Sequence, residues 1–144
     1  MSDIKIEKMN KADLNEVARI SCTVFNEEGE NWNEENSLKR VEGSFQGDAH
    51  YVARVDGRIV GMVMSMPVAL ELDTVLLVDM LVVLREYRGK GIGRKLWESI
   101  ESYAKEKGYK SVRLFANPKW DSYNLYIKLG YKPSGWVELF KEIV

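Results

Sequence analysis

Hydrophobic and polar positions change rhythm several times along the chain. Ile4 and Ile6 alternate with charged residues and predict a first strand ending near Met9. Asn10 can then cap a helix with Asp13 and Glu16 near its positive end. Leu14, Val17, Ala18, Cys22 and Phe25 give that helix an apolar stripe. The stretch from Asn26 to Asn36 is polar and acidic, and a short second helix is expected from near Glu34 to Val41. Tyr51 to Val55, the pair Asp56-Gly57, and Arg58 to Met66 predict a hairpin, because both central positions of a type I′ turn need positive φ. Pro67 is expected to end its second strand. Thr74 to Val83 is a near-continuous apolar run, the pattern of a strand buried on both faces.

From Gly91 the period becomes helical. Ile92, Leu96, Ile100 and Tyr103 recur, and Gly108 after Lys105 and Lys107 is a stop signal. Ser111 to Ala116 predicts another strand. Asn117-Pro118 reads as cap and first turn of a helix ending at Gly130, and Tyr131 to Ile143 should add one or two closing strands. The order β-α-α-β-β-β-α-β-α-β is a mixed α/β layer fold. With 144 residues, 45% of them hydrophobic and 30% charged, residues 1–144 are expected to form a single domain around one core.

Lys plus Arg is 21 and Asp plus Glu is 22, for a net charge of −1, so there is no net basic field for nucleic acid. Cys22 is the sole cysteine and His50 the sole histidine, which excludes an intrachain disulfide, a thiolate-rich zinc cluster and a two-histidine metal motif. The opening residues MSDIKIEKMN lack an apolar signal core, and the run from Val75 to Leu84 is interrupted by Asp79 and too short to span a bilayer. The expectation is a cytoplasmic protein with no membrane, nucleic-acid or metal partner.

The sharpest feature is Arg88-Gly89-Lys90-Gly91-Ile92-Gly93, between the apolar strand and the long helix. Its glycines permit a tight turn and close approach of a ligand. The helix start behind them offers unpaired N–H groups and a partial positive charge. Arg85, Arg88, Lys90, Arg94 and Lys95 crowd a helix end where cations are unfavourable, and a bound polyanion would reverse that sign. A basic surface loop with a glycine turn would have the same composition. The loop lacks the GxxxxGK[ST] of a Walker A motif, and a Rossmann pattern fails because Leu96 holds the third glycine position.

The spacing R-x-x-G-x-G, with Arg88, Gly91 and Gly93, resembles the GNAT superfamily of N-acetyltransferases. Val78 to Leu96 looks like the family's cofactor motif, Leu125-Tyr126-Ile127-Lys128-Leu129-Gly130-Tyr131 is similar to its second signature, and the element order matches over essentially the whole chain. Arg85 departs from the pattern where proline is common, and Lys119 where asparagine often stands. The resemblance implies a central mixed sheet with splayed strands flanked by helices. It implies acetyl-coenzyme A as acetyl donor, with amides around Arg88, Gly89, Lys90, Gly91, Ile92, Gly93 and Arg94 on the pyrophosphate. The pantetheine arm would lie along Leu81, Val82 and Val83, the Leu81 N–H would meet the thioester carbonyl, and Asn117 would contact the arm. A homodimer is a further family expectation.

Tyr126, in the second signature, is the candidate acid for the leaving thiolate. A phenol holds its proton at neutral pH, although a tyrosine there could equally pack and hydrogen-bond the cofactor. Tyr123, one turn earlier, is a weaker candidate. Asp79, the carboxylate inside the apolar run, is the candidate base or amine anchor, or else a structural carboxylate paired with a basic neighbour. By period two it should share a face with Leu77 and Leu81. Asn117 could instead cap its helix. His50 and Cys22 read as packing or surface residues.

Glu27, Glu28, Glu30, Glu34 and Glu35 surround Trp32, with no Lys or Arg from Ser21 to Leu38. Glu27, Glu28, Trp32 and Asp79 are therefore the candidate acceptor-binding residues for a cationic amine such as a polyamine, an aminoglycoside or a basic peptide or protein N-terminus. A solvated acidic loop has the same signature. The expected reaction is direct acetyl transfer to a primary amine in a ternary complex. The other readings are a non-catalytic acyl-coenzyme A sensor and a nucleic-acid module using the basic loop.

Overall fold

The computed structural model describes residues 3–143. The chain forms two compact units, one up to Leu114 and one from Phe115.

The first unit is a five-stranded mixed sheet in the order β1-β2-β3-β4-β5. Its strands are β1 Lys5–Lys8, β2 His50–Val55, β3 Arg58–Ala69, β4 Thr74–Val83 and β5 Val112–Leu114. The first four are antiparallel, and β5 runs parallel to β4. Helices α1 Leu14–Glu27 and α2 Glu34–Ser44 lie between β1 and β2, and α3 Ile92–Lys107 lies between β4 and β5. Asn10 and Asp13 form a capping box before α1. Asp56 and Gly57 both adopt positive φ, 51° and 77°, as the hairpin requires. Trp97, Ile92, Leu96 and Ile100 of α3 are fully buried. Burying each such side chain is worth about 1.5–3 kcal/mol, and together they fix α3 to the sheet.

Two features of the sheet differ from the sequence expectation. Pro67 does not end β3, which continues to Ala69 with Pro67 opposite Leu76. The β2 ladder begins at His50 opposite Met64, so from Ser65 onward β3 has β4 as its ladder partner on one side only. A residue without an N–H is tolerated on such an edge. Nor is β4 buried on both faces: Leu76, Val78, Met80 and Val82 are buried, whereas Leu77, Leu81 and Val83 are half-buried and Asp79 is exposed. A near-continuous apolar run does not say whether both faces are covered.

In the second unit, α4 spans Asp121–Lys128. Asn117 does not cap it. The Asn117 side-chain oxygen accepts from Lys119 N at 2.9 Å and its carbonyl from Trp120 N at 3.0 Å, which makes a turn one step earlier, and Trp120 is the cap residue. The closing strands expected from Tyr131 to Ile143 are absent among the described residues. Trp136-Val137 and Leu139-Phe140 are adjacent apolar pairs that break the two-residue period, and all four are exposed, so no sheet face is defined for them.

Candidate functional site

The donor end is built where β4 hands the chain to α3. Leu84 N donates to Val60 O at 2.9 Å, and a short 3-10 turn at Arg85–Tyr87 follows. Gly89 and Gly91 take φ of 76° and 82°, left-handed values at which a Cβ is strained. Gly91 caps α3 without any side-chain bond, and the first turn of α3 contains no acid. The first intrahelical bond runs from Lys95 N to Gly91 O at 3.0 Å. The amides of Ile92, Gly93 and Arg94 come before it and have no acceptor within the helix. A Cβ on Gly89 or Gly91 would meet nothing within 4 Å, and one on Gly93 would be in ordinary contact with the Val83 side chain at 3.9 Å. Three outward amides with Arg88, Lys90 and Arg94 beside them form a donor set that fits a diphosphate.

Gly61, which the sequence reading missed, sets the height of this cradle. A Cβ there would stand 3.1 Å from Val82 O, 3.2 Å from Ile92 Cγ2 and 3.3 Å from Leu96 Cδ1. Its absence lets the first turns of α3 lie close on the sheet.

Because Leu84 and Val60 face each other through a hydrogen bond, alternate residues of β4 turn their amides the other way. Leu81 and Val83 therefore face the β5 side, while Val82 faces β3. Val83 O accepts from Arg88 Nε at 3.0 Å, in keeping with that orientation. The β4–β5 ladder stops at Val78 opposite Leu114, so β4 from Asp79 to Val83 runs past the end of β5. Within the first unit, the amides of Leu81 and Val83 therefore have no ladder partner on the β5 side.

Asp79 sits at a bulge. Met64 pairs with Met80 and Ser65 with Val78, so Asp79 is the extra residue. The bulge breaks the two-residue period: Asp79 reaches α2 and Met80 lines a cleft with α1 and α2 residues, whereas Val83 lies beside Gly93 of α3, with Leu81 on the same face by period two. The expected shared face of Asp79 and Leu81 does not exist. Arg40 forks onto Asp79, Nη1 to Oδ2 at 2.7 Å and Nη2 to Oδ1 at 3.0 Å, and the Ser44 hydroxyl also donates to Oδ2. The Arg40 hydrogen bonds, aided by Ser44, hold the Asp79 carboxyl below its ordinary range against the opposing effect of burial. Arg40 and Ser44 are absent from the sequence reading. The available signal was the spacing of Ser37, Arg40 and Ser44 along one side of α2.

The acidic loop is more ordered than its composition suggests. Asn26 clamps the Trp32 backbone, accepting from its N–H at 2.6 Å and donating to its carbonyl at 2.8 Å. The Cys22 thiol donates to the same carbonyl at 3.4 Å. The Trp32 indole N–H donates to Glu30 at 2.9 Å, and its ring lies 6.4 Å from that of Phe25. Glu27 lies 3.9 Å from Arg85, at the donor end, and Glu28 is exposed at the end of α1. His50 is fully buried behind the bulge. Its Nε2 donates to Gln46 O at 2.9 Å, its Nδ1 accepts from Ser65 N at 3.4 Å, and burial lowers its pKa. Tyr126 lies on α4 in the second unit, where burial raises its pKa.

A mixed sheet, a glycine turn and a long helix without a side-chain cap define an α/β protein of known class, and comparison with known proteins gives that class its family. The model of the acetyltransferase (GNAT) domain matches residues 46–133, more than half of the chain, and the chain belongs to that family. It is 36% identical over 95 residues to the "Probable N-acetyltransferase camello" of Xenopus tropicalis, an alignment covering 65% of this chain and 42% of that protein. The chain thus spans less than half the length of that relative. Among solved structures it superposes on a "possible acetyltransferase" from Clostridium difficile 630 with a TM-score of 0.84 and 20% identity, covering 98% of each chain. It superposes on the aminoglycoside N-acetyltransferase AAC(6')-Iy in complex with CoA with a TM-score of 0.81 and 18% identity, covering 99% of this chain and 96% of that one. These likenesses concern the fold.

Proposed function

We propose that the protein is an N-acetyltransferase that moves an acetyl group from acetyl-coenzyme A to a primary amine by direct attack in a ternary complex. The observation that carries this reading is the start of α3: three outward amides, a glycine cap, no acid in the first turn and a basic approach. Arg88 to Arg94 would hold the diphosphate, with the edges of Leu81 and Val83 along the pantetheine arm and Asn117 as a further contact. When bound, acetyl-coenzyme A supplies the thioester carbonyl and the leaving thiolate.

The chain's own groups then have separable tasks. The Leu81 N–H, turned away from β3, would donate to oxygen as charge develops there. Tyr126 would give its phenolic proton to sulfur, and burial keeps that proton in place at neutral pH. An ammonium acceptor loses one proton to solvent to become the attacking amine and a second as the amide forms; Tyr126, having given one to sulfur, regains one from solvent, so amide, thiol and one released proton balance the reaction. Asp79, depressed by Arg40, is a poor base and suits anchoring the incoming ammonium. Trp32, Glu27 and Glu28 would give the entrance its preference for cationic amines. A cytoplasmic location and a homodimer fit this reading.

Isothermal calorimetry with coenzyme A, followed by thiol release over a panel of amines, tests the proposal. Binding with acceptor-dependent release is expected, and no heat on titration would overturn it. A sensor without turnover is the second reading. It is favoured by one observation, that Asp79 is already bridged by Arg40 and Ser44. It would show binding without thiol release.

A further inference from the structure

Between α1, α2 and β4 lies a narrow cleft lined by Ser21, Phe25, Trp32, Ser37, Arg40 and Met80. As it stands it has no room for a water molecule. Its lining is apolar apart from Arg40 and two serines. Ser21 is satisfied, donating to Val17 O at 2.8 Å. Ser37 is not: its residue is 2% exposed, and its hydroxyl has no hydrogen-bond partner. A buried hydroxyl without a partner is costly, and neither protein nor solvent relieves it here.

Two further observations give the cleft a direction. Arg40 both lines it and forks onto Asp79, so the cleft adjoins the carboxylate assigned to the acceptor amine. Ser37 and Arg40 are three residues apart on α2, about 4.5 Å along the axis on the same side. Ser44, which also bonds Asp79, stands seven residues from Ser37, about 10.5 Å along the axis, so a substituent reaches Ser37 from Asp79 by running alongside Arg40. The wall that must yield is Trp32. Its backbone is clamped by Asn26, while its half-buried ring packs near Phe25 and is hydrogen-bonded only at its edge, to exposed Glu30. A rotation of the ring about its side-chain bonds would open the cleft without moving the loop.

Resting on the acetyltransferase reading, we infer that this cleft is the subsite for the group beside the acceptor nitrogen, and that Ser37 makes it select a 2-amino alcohol over the matching hydrocarbon amine. The substrate hydroxyl gives Ser37 the partner it lacks. An isosteric methyl leaves Ser37 unpaired in a closed apolar cleft, and a site of that kind rejects the analogue strongly. The chemistry is shared by an N-terminal Thr or Ser and by an amino sugar.

The test uses two near-isosteric pairs, threonine amide with valine amide and, for the ring of an amino sugar, trans-2-aminocyclohexanol with trans-2-methylcyclohexylamine. Binding is measured by calorimetry with and without coenzyme A, and kcat/KM with acetyl-coenzyme A. The hydroxyl-bearing member of at least one pair is expected to be favoured about tenfold or more; the pair in which this appears identifies a peptide or a sugar source. Ser37→Ala is expected to abolish the preference by weakening only the hydroxyl-bearing member. It should also raise the melting midpoint of the unliganded protein by about 2 °C, because a buried hydroxyl without a partner is removed. No preference in either pair, or a preference that survives Ser37→Ala, would overturn the inference. So would a lower melting midpoint, which would mean the hydroxyl is already bonded. Failure of coenzyme A itself to bind overturns the acetyltransferase reading instead, and amine binding measured without it still reports on the cleft.

Discussion

Helix α2 opens on Asn33, whose side-chain oxygen accepts from Asn36 N at 2.8 Å, and carries Glu34 and Glu35 in its first turn. Helix α3 opens on Gly91, with no side-chain cap, no acid in its first turn, and Arg94 and Lys95 just inside. The first arrangement satisfies its own amides and its own dipole. The second satisfies neither. The arginines divide the same way: Arg40 on α2 is forked onto Asp79 at 2.7 and 3.0 Å, whereas Arg88 and Arg94 flank outward amides. A helix end that the sequence could have capped, and does not, is where the proposed function puts its ligand. The α2 end beside the cleft is self-contained, and under the same proposal its specificity would come from shape and from Ser37.

The largest expected effect comes from giving α3 the acid that α2 already has. Gly93→Asp places its Cβ in ordinary contact, 3.9 Å from the Val83 side chain, and should stabilise the unliganded helix by about 0.3–1 kcal/mol. It should weaken coenzyme A by at least about 100-fold, because like charges are brought together. Calorimetry and a thermal melt on the same sample check both signs, and unchanged affinity would break the contrast between the two helix ends. Tyr126→Phe tests chemistry that neither helix end supplies. It should lower kcat by about 100-fold with the KM for acetyl-coenzyme A nearly unchanged, and an unaltered kcat would remove Tyr126 from the reaction.

Asp79→Asn should raise the KM of a cationic acceptor about tenfold while leaving coenzyme A affinity alone. Arg40 holds the Asp79 pKa below the unfolded carboxylate value of about 3.9. The wild-type kcat/KM profile should therefore show no Asp79 inflection between roughly pH 5 and 9. The stability contributed by that depressed carboxylate is present above the unfolded value and is lost as the pH falls through the lower folded one. Acid titration of stability should show this loss in the wild type and not in Asp79→Asn. An acid limb near neutral pH that disappears in the variant would make Asp79 a base after all.

Gly61→Ala places a Cβ 3.1 Å from Val82 O. It should cost about 1–3 kcal/mol and weaken coenzyme A by lifting the first turn of α3, as denaturant titration and calorimetry would show. Smallest is Asn33→Ala, expected to cost about 1 kcal/mol of stability with no change in coenzyme A affinity. A matching loss of affinity would mean that the two helix ends are not independent.

The donor end was largely legible in the sequence because it depends on backbone. Gly89 and Gly91 mark left-handed φ, and their place between an apolar strand and a helical stripe locates the amides without any knowledge of packing. The acceptor end was not legible. Asp79 stood out as a charge in an apolar run, but its partner Arg40 is thirty-nine positions away. The bulge that turns both Asp79 and Met80 toward α1 and α2 depends on the register with β3. Ser37 looked like any helix serine until burial left it without a partner. The C-terminal stretch misled for a related reason: Trp136 to Ile143 has the composition of a strand but not the two-residue period of one.

What the sequence determined alone was local: where glycine must stand, where the hairpin turns, where α3 starts and stops, which stretches are apolar, and hence the order of elements as far as α4 and the glycine loop before α3. These follow from φ/ψ preferences and periodicity, which act over a few residues. Only the tertiary structure decided which carboxylate is neutralised, which strand edge runs past its neighbour and which hydroxyl is stranded in a cleft. Those depend on which groups are brought together from distant parts of the chain, and on whether water can still reach them once they are there.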